Sequence, residues 1–354
     1  MRNFRQPEVK PYLITKSLTP ENQETPIYFI NGDIVDGKLF YRRNHFTYPH
    51  FTSSFYFLPI QGFVRTPRTF SLPDIYSLPS RTIKMILECS GDKRDFFEPK
   101  VFGEQWEKGA ISQGSWKGVS LRTLLQYTGV IDGAKEIVFE GYDYGERPDS
   151  NQIVHFSRSL PIETALEADT IIAYEYNNQP IPFKHGFPLR LIVPGWYAMA
   201  SVKWLKKITV IDKEFKGPFQ TVDYVYYPNK EDDSGKFPVT TINVNSTIQY
   251  PLNRQLLASG IYQIKGIAWT GKGSIDKVEI SLDGQTWETC QLPSTSEKYS
   301  WVSWNYQWEV LKKGEYTIQT RATDFDGNVQ PSKPLWNRKG YGFNAVDYIK
   351  VKVE

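Results

Sequence analysis

A cysteine and several charged residues stand close together in the stretch LECSGDKRDFF, residues 87–97. The chain has 354 residues and only two cysteines, and Cys89 ends an apolar run just before a turn and two cations. A lone cysteine is usually a small buried hydrophobic residue. Near a cation it can instead be a thiolate that acts as a nucleophile or binds a soft metal, and Arg94 is close enough in sequence to favour that form. Cys290, in the strand-like WETCQL, is interpreted as a core residue.

Further polar side chains stand at predicted turns between apolar segments. They are Arg43, Asn44, His45, Asp143, His185, Arg190, Ser201 and Lys203. Each one alone has an ordinary structural explanation, because an arginine can form a surface ion pair and a histidine can be a hydrogen-bonded core residue. As a set, they include the donors that bind a phosphate or an electron-rich heterocycle, with the thiol of Cys89 among them.

The composition and the absent motifs argue against several classes of function. The four histidines form neither a His-x3-His nor a His-Glu-x-x-His pattern, so a zinc hydrolase is not expected. No nucleotide-binding glycine loop and no Gly-x-Ser-x-Gly esterase turn occurs. A formal net charge of +3 predicts no large basic surface, and hence no nucleic-acid partner.

Targeting and membrane signals are also absent from the sequence. No apolar run approaches the roughly 20 residues that a membrane span needs. The first residues lack an apolar signal core and a small-residue cleavage site. We therefore expect a cytoplasmic protein without a membrane span, or a periplasmic one if a leader was removed.

The predicted secondary structure changes character near residue 236. Before it, coil and short strands, including PIYFI and DGKLFYRRNHF, give way to an α+β alternation. In that alternation we predict helices at SLRTLLQYTG and PIETALEA, and strands at TIKMILEC, EIVFEGYD, TIIAYEY and LRLIVPG. After the charged turn segment NKEDDSGKF, helical periodicity disappears and short alternating runs follow at hairpin spacing. The fold class is therefore an α+β domain at residues 1–236, followed by an all-β immunoglobulin-like sandwich at residues 237–354.

Several segments together resemble the molybdopterin domain of the sulfite oxidase family. They are FYRRNHF, ILECSGDKR, WEKGAISQGSWKGVSLRTLL, AYEYNNQPIPFKHGFPLRLIVPGWYAMASVKWL and PLWNRKGYGFNA. The similarity extends over nearly the whole chain in the same order, and the cysteine motif, HGFPLR and SVKW are its most specific parts. It implies a sulfite oxidase-like molybdopterin-binding domain and a C-terminal dimerisation domain, without the N-terminal haem domain of the animal enzymes.

The resemblance implies a molybdenum–molybdopterin cofactor whose metal is held by one pyranopterin dithiolene and one protein cysteine. Cys89 would be that metal ligand. The residues that would border the pterin and hold its phosphate are Tyr41, Arg42, Arg43, Asn44, His45, Asp143, His185, Arg190, Ser201, Val202 and Lys203. No haem is expected, because the chain has no Cys-x-x-Cys-His site.

The same resemblance implies a substrate pocket of arginines and aromatic residues beside the metal. The catalytic positions of the family fall on Cys89, Tyr224, Arg43, Arg94 and Trp106. Arginine suits a small oxyanion because its planar fork binds two oxygens and stays charged. Two departures predict a less cationic pocket than in the animal enzymes: Ala198-Met199-Ala200 replaces Gly-Ala-Arg, and Phe183-Lys184 replaces Arg-Asp.

The function implied by the resemblance is oxidation of sulfite to sulfate by oxygen-atom transfer, with electrons passed to a separate acceptor such as a c-type cytochrome or oxygen. The alternative is a reductase of the same family acting on nitrate, another small oxyanion or an S-oxide. A non-catalytic cofactor-binding module is disfavoured, because Cys89, Arg43 and Arg94 are all present. We also expect a homodimer that forms through the C-terminal domain.

Overall fold

The computed structural model describes residues 11–354, so the first ten residues of the predicted first domain lie outside the described part. The strands are β1 (Ile14–Leu18), β2 (Glu21–Glu24), β3 (Phe57–Gly62), β4 (Arg68–Ser71), β5 (Ser80–Glu88), β6 (Ile111–Ser120), β7 (Glu136–Glu146), β8 (Ile153–Pro161), β9 (Ile171–Tyr176), β10 (Gln179–Pro180), β11 (Arg190–Ile192), β12 (Leu205–Ile211), β13 (Val225–Tyr226), β14 (Phe237–Pro238), β15 (Asn245–Tyr250), β16 (Leu256–Leu257), β17 (Gly260–Trp269), β18 (Ile275–Ser281), β19 (Glu288–Thr289), β20 (Val302–Val310), β21 (Gly314–Asp324) and β22 (Asp347–Val353). The helices within residues 11–354 are α1 (Leu72–Ser77), α2 (Leu121–Thr128), α3 (Ile162–Ala165) and α4 (Pro218–Thr221). None of these helices is long and apolar enough to cross a membrane.

Two five-stranded sheets form the first part of the structure. One has the order β10–β9–β6–β5, with β11 also paired to β9, and the other has the order β4–β3–β12–β7–β8. Helix α2 follows β6, buries Leu121, Leu124 and Leu125, and ends at Gly129. The φ of Gly129 is 64°, a left-handed conformation that glycine adopts without strain. This mixture of sheets and short helices confirms the predicted α+β class for this part of the chain.

The second part of the structure is a sandwich of two sheets. The order of the first sheet is β15–β17–β20, and that of the second is β16–β22–β21–β18–β19. Ile264 and Trp304 from the first sheet share one buried core with Val278 and Ile349 from the second. The predicted all-β class is therefore confirmed. The division at residues 236 and 237 stays a prediction, since the β13–β14 pair joins residues on both sides of it.

Two strand predictions near the start of the chain are wrong. PIYFI contains a 3-10 turn at Ile27–Phe29, and DGKLFYRRNHF forms turns with one isolated bridge, between Gln23 and Arg42. The cause is local, because the backbone N–H groups of Leu39 and Phe40 both donate to the carbonyl oxygen of Asp36 and close a turn where a strand would have to continue. The predicted helix PIETALEA is also reduced to the four residues of α3.

Lys93 ties the loop after β5 to the sandwich. Its side chain is fully buried, and its Nζ donates to Asn245 Oδ1 at 2.8 Å and to the carbonyl oxygen of Ser246 at 2.8 Å. The carboxylate of Asp347 lies 4.0 Å from the same nitrogen, and the ring of Trp269 lies 5.3 Å from it. Burial lowers the pKa of Lys93, and the Asp347 carboxylate opposes that change. Lys93 thus connects the loop that follows Cys89 to the second part of the structure.

Replacing Lys93 with methionine should therefore lower the free energy of unfolding by about 2 to 4 kcal/mol, because two buried charge-assisted hydrogen bonds are lost and the carboxylate of Asp347 loses a neighbouring cation. Urea unfolding followed by tryptophan fluorescence measures this change. Lys100→Met is the matched control, since Lys100 pairs with Asp95 in a half-exposed position and such a pair contributes about 1 kcal/mol or less. Equal losses in the two variants would contradict a special role for Lys93.

Candidate active site

A cavity lies among the turns and loops of the first part of the structure. Twelve of the predicted site residues line it: Tyr41, Arg42, Arg43, Asn44, His45, Cys89, Asp143, His185, Arg190, Ser201, Lys203 and Tyr224. The fold thus brings together polar groups that the sequence places at separate turns.

Cys89 reaches the cavity because β5 ends directly before it. Its backbone N–H donates to the carbonyl oxygen of Ala110 at 2.9 Å, and its own carbonyl oxygen accepts from the N–H of Asp92 at 2.8 Å, which closes the turn. Only 8% of Cys89 is exposed. Burial raises the pKa of the thiol, and the positive charges of Arg43 and Arg94 oppose that rise. The free thiol is therefore protonated at neutral pH, and binding a metal would release its proton.

Arg43, His45 and Tyr224 form one connected group on the cavity wall. The Nη2 of Arg43 lies 3.4 Å from the His45 ring nitrogens, and His45 Nε2 is 2.6 Å from the Tyr224 hydroxyl. Burial, followed by the charge of Arg43, lowers the pKa of His45 well below its usual value. Burial also raises the pKa of Tyr224. The group therefore consists of one fixed cation, a neutral imidazole and a protonated phenol.

The backbone at Tyr224 is unusual for a residue with a side chain. Its φ is 56°, in the left-handed region that few residues other than glycine occupy. The residue follows α4, and its carbonyl oxygen accepts from the N–H of Val239 at 2.9 Å. Strain of this kind persists only where the surroundings enforce it, and it is concentrated at functional sites.

Asp143 enters the cavity from a bulge in β7. The pairing of β7 with β8 shifts register between Glu140 and Tyr144, and such a bulge re-aims the side chains within it. Burial raises the pKa of Asp143 to about 7, and the charge of Lys203 opposes the rise. Within residues 11–354, the buried Oδ1 of Asp143 has no hydrogen-bond partner. An acceptor of this kind suits the amino groups of a bound heterocycle.

The remaining polar residues of the cavity wall are His185, Arg190, Ser201 and Lys203. Arg190 donates from Nε to the carbonyl oxygen of Ser201 at 3.2 Å and from Nη1 to that of His185 at 3.1 Å. Lys203 Nζ donates to the carbonyl oxygen of Arg43 at 3.1 Å. Burial lowers the pKa of Arg190 to about 10 and that of Lys203 to about 7. A bound anion would keep both side chains charged, because a nearby negative charge favours the cationic form.

A glycine keeps this wall compact. A Cβ on Gly186, whose φ is +114°, would lie 3.2 Å from the Cα of Lys203 and 3.2 Å from the Cβ of Arg190. The turn after His185 therefore requires glycine both for its conformation and for its close approach to Lys203.

Three predicted site residues do not line the cavity. Val202 is a core residue, and Trp106 is fully buried in the cluster that also contains Cys89. Arg94 lies behind the loop, where its Nε and Nη1 donate to backbone carbonyls: Nε to Lys339 at 3.1 Å and to Gly340 at 3.2 Å, and Nη1 to Glu104 at 3.0 Å. Within residues 11–354, its Nη2 makes no hydrogen bond, so that nitrogen remains available.

Two residues beside the site were not among the sequence predictions. Tyr341 stacks on Tyr224 with ring centroids 5.5 Å apart, and the guanidinium of Arg158 lies 5.5 Å from the centroid of the Tyr224 ring. Burial lowers the pKa of Arg158 to about 10. No local pattern distinguishes Tyr341, because the chain has 22 tyrosines. Arg158 lies within β8, where an alternating strand pattern predicts only on which face of the sheet the side chain lies.

The donor set of the cavity fits a molybdenum–pterin group. Cys89 offers a soft sulfur ligand, Asp143 an unsatisfied acceptor, and Arg190 and Lys203 two cations for a phosphate.

Comparison with known proteins gives matches along nearly the whole chain. Residues 45–219 match the oxidoreductase molybdopterin binding domain, and residues 236–354 match the Mo-co oxidoreductase dimerisation domain. Mitochondrial sulfite oxidase from Mus musculus is 31% identical over 365 residues, which cover 97% of this chain and 66% of that protein. Nitrate reductase [NADH] 1 from Phaseolus vulgaris is 30% identical over 366 residues, which cover 94% of this chain and 42% of that protein.

A solved structure extends the comparison to the fold. The sulfane dehydrogenase SoxCD from Paracoccus pantotrophus matches with a TM-score of 0.83 and 25% sequence identity, over 98% of this chain and 90% of that chain. The chain spans 66% or less of the length of the sulfite oxidase and nitrate reductase named above. The resemblance predicted from the sequence is confirmed, and relatives named for sulfite and for nitrate both occur.

Proposed function

Because the chain belongs to the sulfite oxidase family of molybdopterin oxidoreductases, we propose that it oxidises sulfite to sulfate at a molybdenum centre bound by Cys89. In the balanced reaction, sulfite and water give sulfate, two electrons and two protons. The observation that supports this proposal is the placement of Arg43, His45 and Tyr224 at the same cavity wall as the buried thiol of Cys89.

Membership of this family implies the molybdenum–molybdopterin cofactor. When bound, this group supplies two-electron oxygen-atom transfer. In our proposal, the thiolate of Cys89 binds the metal and the Oδ1 of Asp143 accepts hydrogen bonds from the pterin ring. Arg190 and Lys203 hold the phosphate.

The remaining polar groups of the cavity would bind and orient the substrate. Arg43 supplies a permanent positive charge that lowers the free energy of a bound dianion. The protonated hydroxyl of Tyr224 donates a hydrogen bond to a substrate oxygen, and the neutral ring of His45, with its proton on Nε2, donates to the oxygen of that hydroxyl at 2.6 Å. Arg94 does not line the cavity, but it adds a second positive charge that acts on the thiol of Cys89.

Reduction of nitrate is the second candidate. Nitrate reductases at about 30% identity are among the relatives, and a cationic pocket with one phenol suits nitrate as well as sulfite. The two reactions differ in the direction of electron flow, so they are separable by assay.

The test begins with molybdenum analysis of the purified protein. The same preparation is then assayed for sulfite-dependent reduction of ferricyanide and for nitrate-dependent oxidation of a reduced viologen. We expect molybdenum near one atom per chain and turnover with sulfite. Loaded protein that reduces nitrate and leaves sulfite unchanged would replace the first proposal with the second.

We also propose that electrons leave to a separate acceptor, such as a c-type cytochrome or oxygen, and that the enzyme is a homodimer formed through the sandwich. Residues 236–354 match a dimerisation domain, and a two-fold contact between identical sheets is the commonest way to close such a pair. Light scattering at micromolar concentration should give twice the mass of one chain. A monomer under those conditions would contradict the dimer.

A further inference from the structure

Tyr341 lies at the junction between the sandwich and the cavity, and it contacts two residues assigned to the substrate pocket. Its ring stacks on that of Tyr224 at 5.5 Å with an interplanar angle of 24°. Its hydroxyl accepts a hydrogen bond from the backbone N–H of Tyr224 at 3.4 Å. The guanidinium carbon of Arg94 lies 5.3 Å from the centroid of the same ring. Tyr341 therefore contacts both Arg94 and Tyr224.

The segment around Tyr341 is held rigidly. Asn337 is fully buried, and its side chain accepts from the N–H of Tyr341 at 3.0 Å while donating to the carbonyl oxygen of Tyr341 at 2.9 Å. Gly340 and Gly342, on either side, have φ values of 59° and 66°. Glycine adopts such positive φ values without strain, so the backbone can turn sharply on both sides of Tyr341. Only 7% of Tyr341 is exposed.

The same segment fixes Arg94 through its backbone. The Nε of Arg94 donates to the carbonyl oxygens of Lys339 and Gly340, the two residues directly before Tyr341. A Cβ at Gly340 would lie 2.9 Å from the Cγ of Arg94, so the backbone passes directly against this side chain. The arginine is thus bounded by two carbonyls and one aromatic face, all from a single segment more than 240 residues away in sequence.

We infer that Tyr341 is a positioning residue of the anion pocket, which holds the Arg94 guanidinium and the Tyr224 ring in place and thereby sets the affinity for a small oxyanion. The inference rests on the proposed function, because it concerns the same site. The aromatic ring is the part that acts, since both the stacking contact and the cation–π contact involve its face. The hydroxyl contributes one long hydrogen bond and should matter less.

The experiment compares Tyr341→Leu, Tyr341→Phe and the matched control Phe343→Leu. Phe343 has a similar exposed fraction of 8% and makes an edge contact with Phe97 at 5.1 Å, but it contacts neither Arg94 nor Tyr224. Each molybdenum-loaded protein is measured in three ways. Calorimetry gives the dissociation constant for sulfate, steady-state assays give KM and kcat for sulfite, and thermal unfolding gives Tm.

We expect Tyr341→Leu to weaken sulfate binding and to raise the sulfite KM by about tenfold, as the loss of a desolvated cation–π contact predicts. The kcat should change less than KM, because the metal ligand and Arg43 are untouched. Tyr341→Phe should restore the sulfate affinity to within about threefold of the wild type, since the ring is kept. Phe343→Leu should lower Tm to a similar extent without altering the sulfate affinity.

A sulfate dissociation constant in Tyr341→Leu that matches the one in Phe343→Leu would overturn the inference, and so would a wild-type protein that binds no sulfate. Failure of the proposed function is distinguishable from this result. If the wild type does not oxidise sulfite but binds sulfate, and Tyr341→Leu weakens that binding, the positioning role stands while the substrate assignment falls.

Discussion

Cys89→Ser is expected to abolish sulfite turnover while the protein stays folded and retains much of its pterin. The contacts assigned to the pterin and its phosphate come from Asp143, Arg190 and Lys203, and none of them depends on sulfur. A serine oxygen is a harder ligand than a thiolate, so it changes the electronic properties of the metal even where the geometry is kept. Molybdenum content, pterin content, Tm and sulfite oxidation should all be measured on one preparation.

Cys290→Ser is the matched control for this experiment. Cys290 is also buried, with 4% of its surface exposed, but it lies in the core of the sandwich. A hydroxyl without a partner at such a site costs about 1 to 3 kcal/mol of stability. Cys290→Ser should therefore lose stability and keep its turnover per folded molecule. A stable, metal-loaded and fully active Cys89→Ser would exclude Cys89 as the ligand and would remove the basis of the proposed mechanism.

Some of the turns that form the cavity were predictable, because they follow strands with a clear pattern. TIKMILEC predicted β5 and therefore placed Cys89 at a strand end, and the final glycine of SLRTLLQYTG predicted the end of α2. Local patterns could not bring these turns together, since the cavity joins residues from Tyr41 to Tyr224. That step came from the family resemblance, which supplied the order of the segments and the identity of the cofactor.

Tyr341 illustrates what the sequence could not provide. Its position depends on the positive-φ glycines on either side and on the hydrogen bonds with the side chain of Asn337. Its proposed role depends on a contact with Arg94, which lies in a distant segment. Hydrophobic periodicity describes which face of an element is buried, but it does not describe contacts between loops. The wrong strand prediction at DGKLFYRRNHF has a related cause, because the backbone turn at Asp36 overrode the apolar pattern there.

The predicted role of Arg94 also changes in detail once its surroundings are known. The sequence placed it as a donor toward the substrate, whereas three of its hydrogen bonds go to backbone carbonyls. Arg43, in contrast, lines the cavity, with Nη1 donating to the carbonyl oxygen of Asn44 and Nη2 beside the neutral ring of His45. Of the two arginines, Arg43 is therefore expected to contribute more to catalysis.

Replacing Arg43 with glutamine should lower kcat/KM for sulfite by about 100- to 10,000-fold. The estimate assumes the loss of two charge-assisted hydrogen bonds, each contributing about 1.5 to 3 kcal/mol. Cofactor content should be nearly unchanged, because Arg43 contacts Lys203 through its backbone carbonyl, which the substitution keeps. Steady-state kinetics with an artificial acceptor, together with molybdenum analysis, measures both quantities.

Arg43→Lys separates the charge of this residue from its shape. Lysine keeps the positive charge but cannot bind two oxygens with one planar fork, so its kcat/KM should fall between those of the wild type and Arg43→Gln. Removing the charge should also raise the pKa of His45 toward its usual value, since Arg43 is one of the causes that lower it. Arg43→Gln should then regain part of its sulfite affinity as the pH falls, because protonated His45 supplies a positive charge, while Arg43→Lys should show no such gain. If Arg43→Gln instead kept the wild-type KM and kcat, the anion would have to bind elsewhere in the cavity, and the pairing of Arg43 with Tyr224 would be structural.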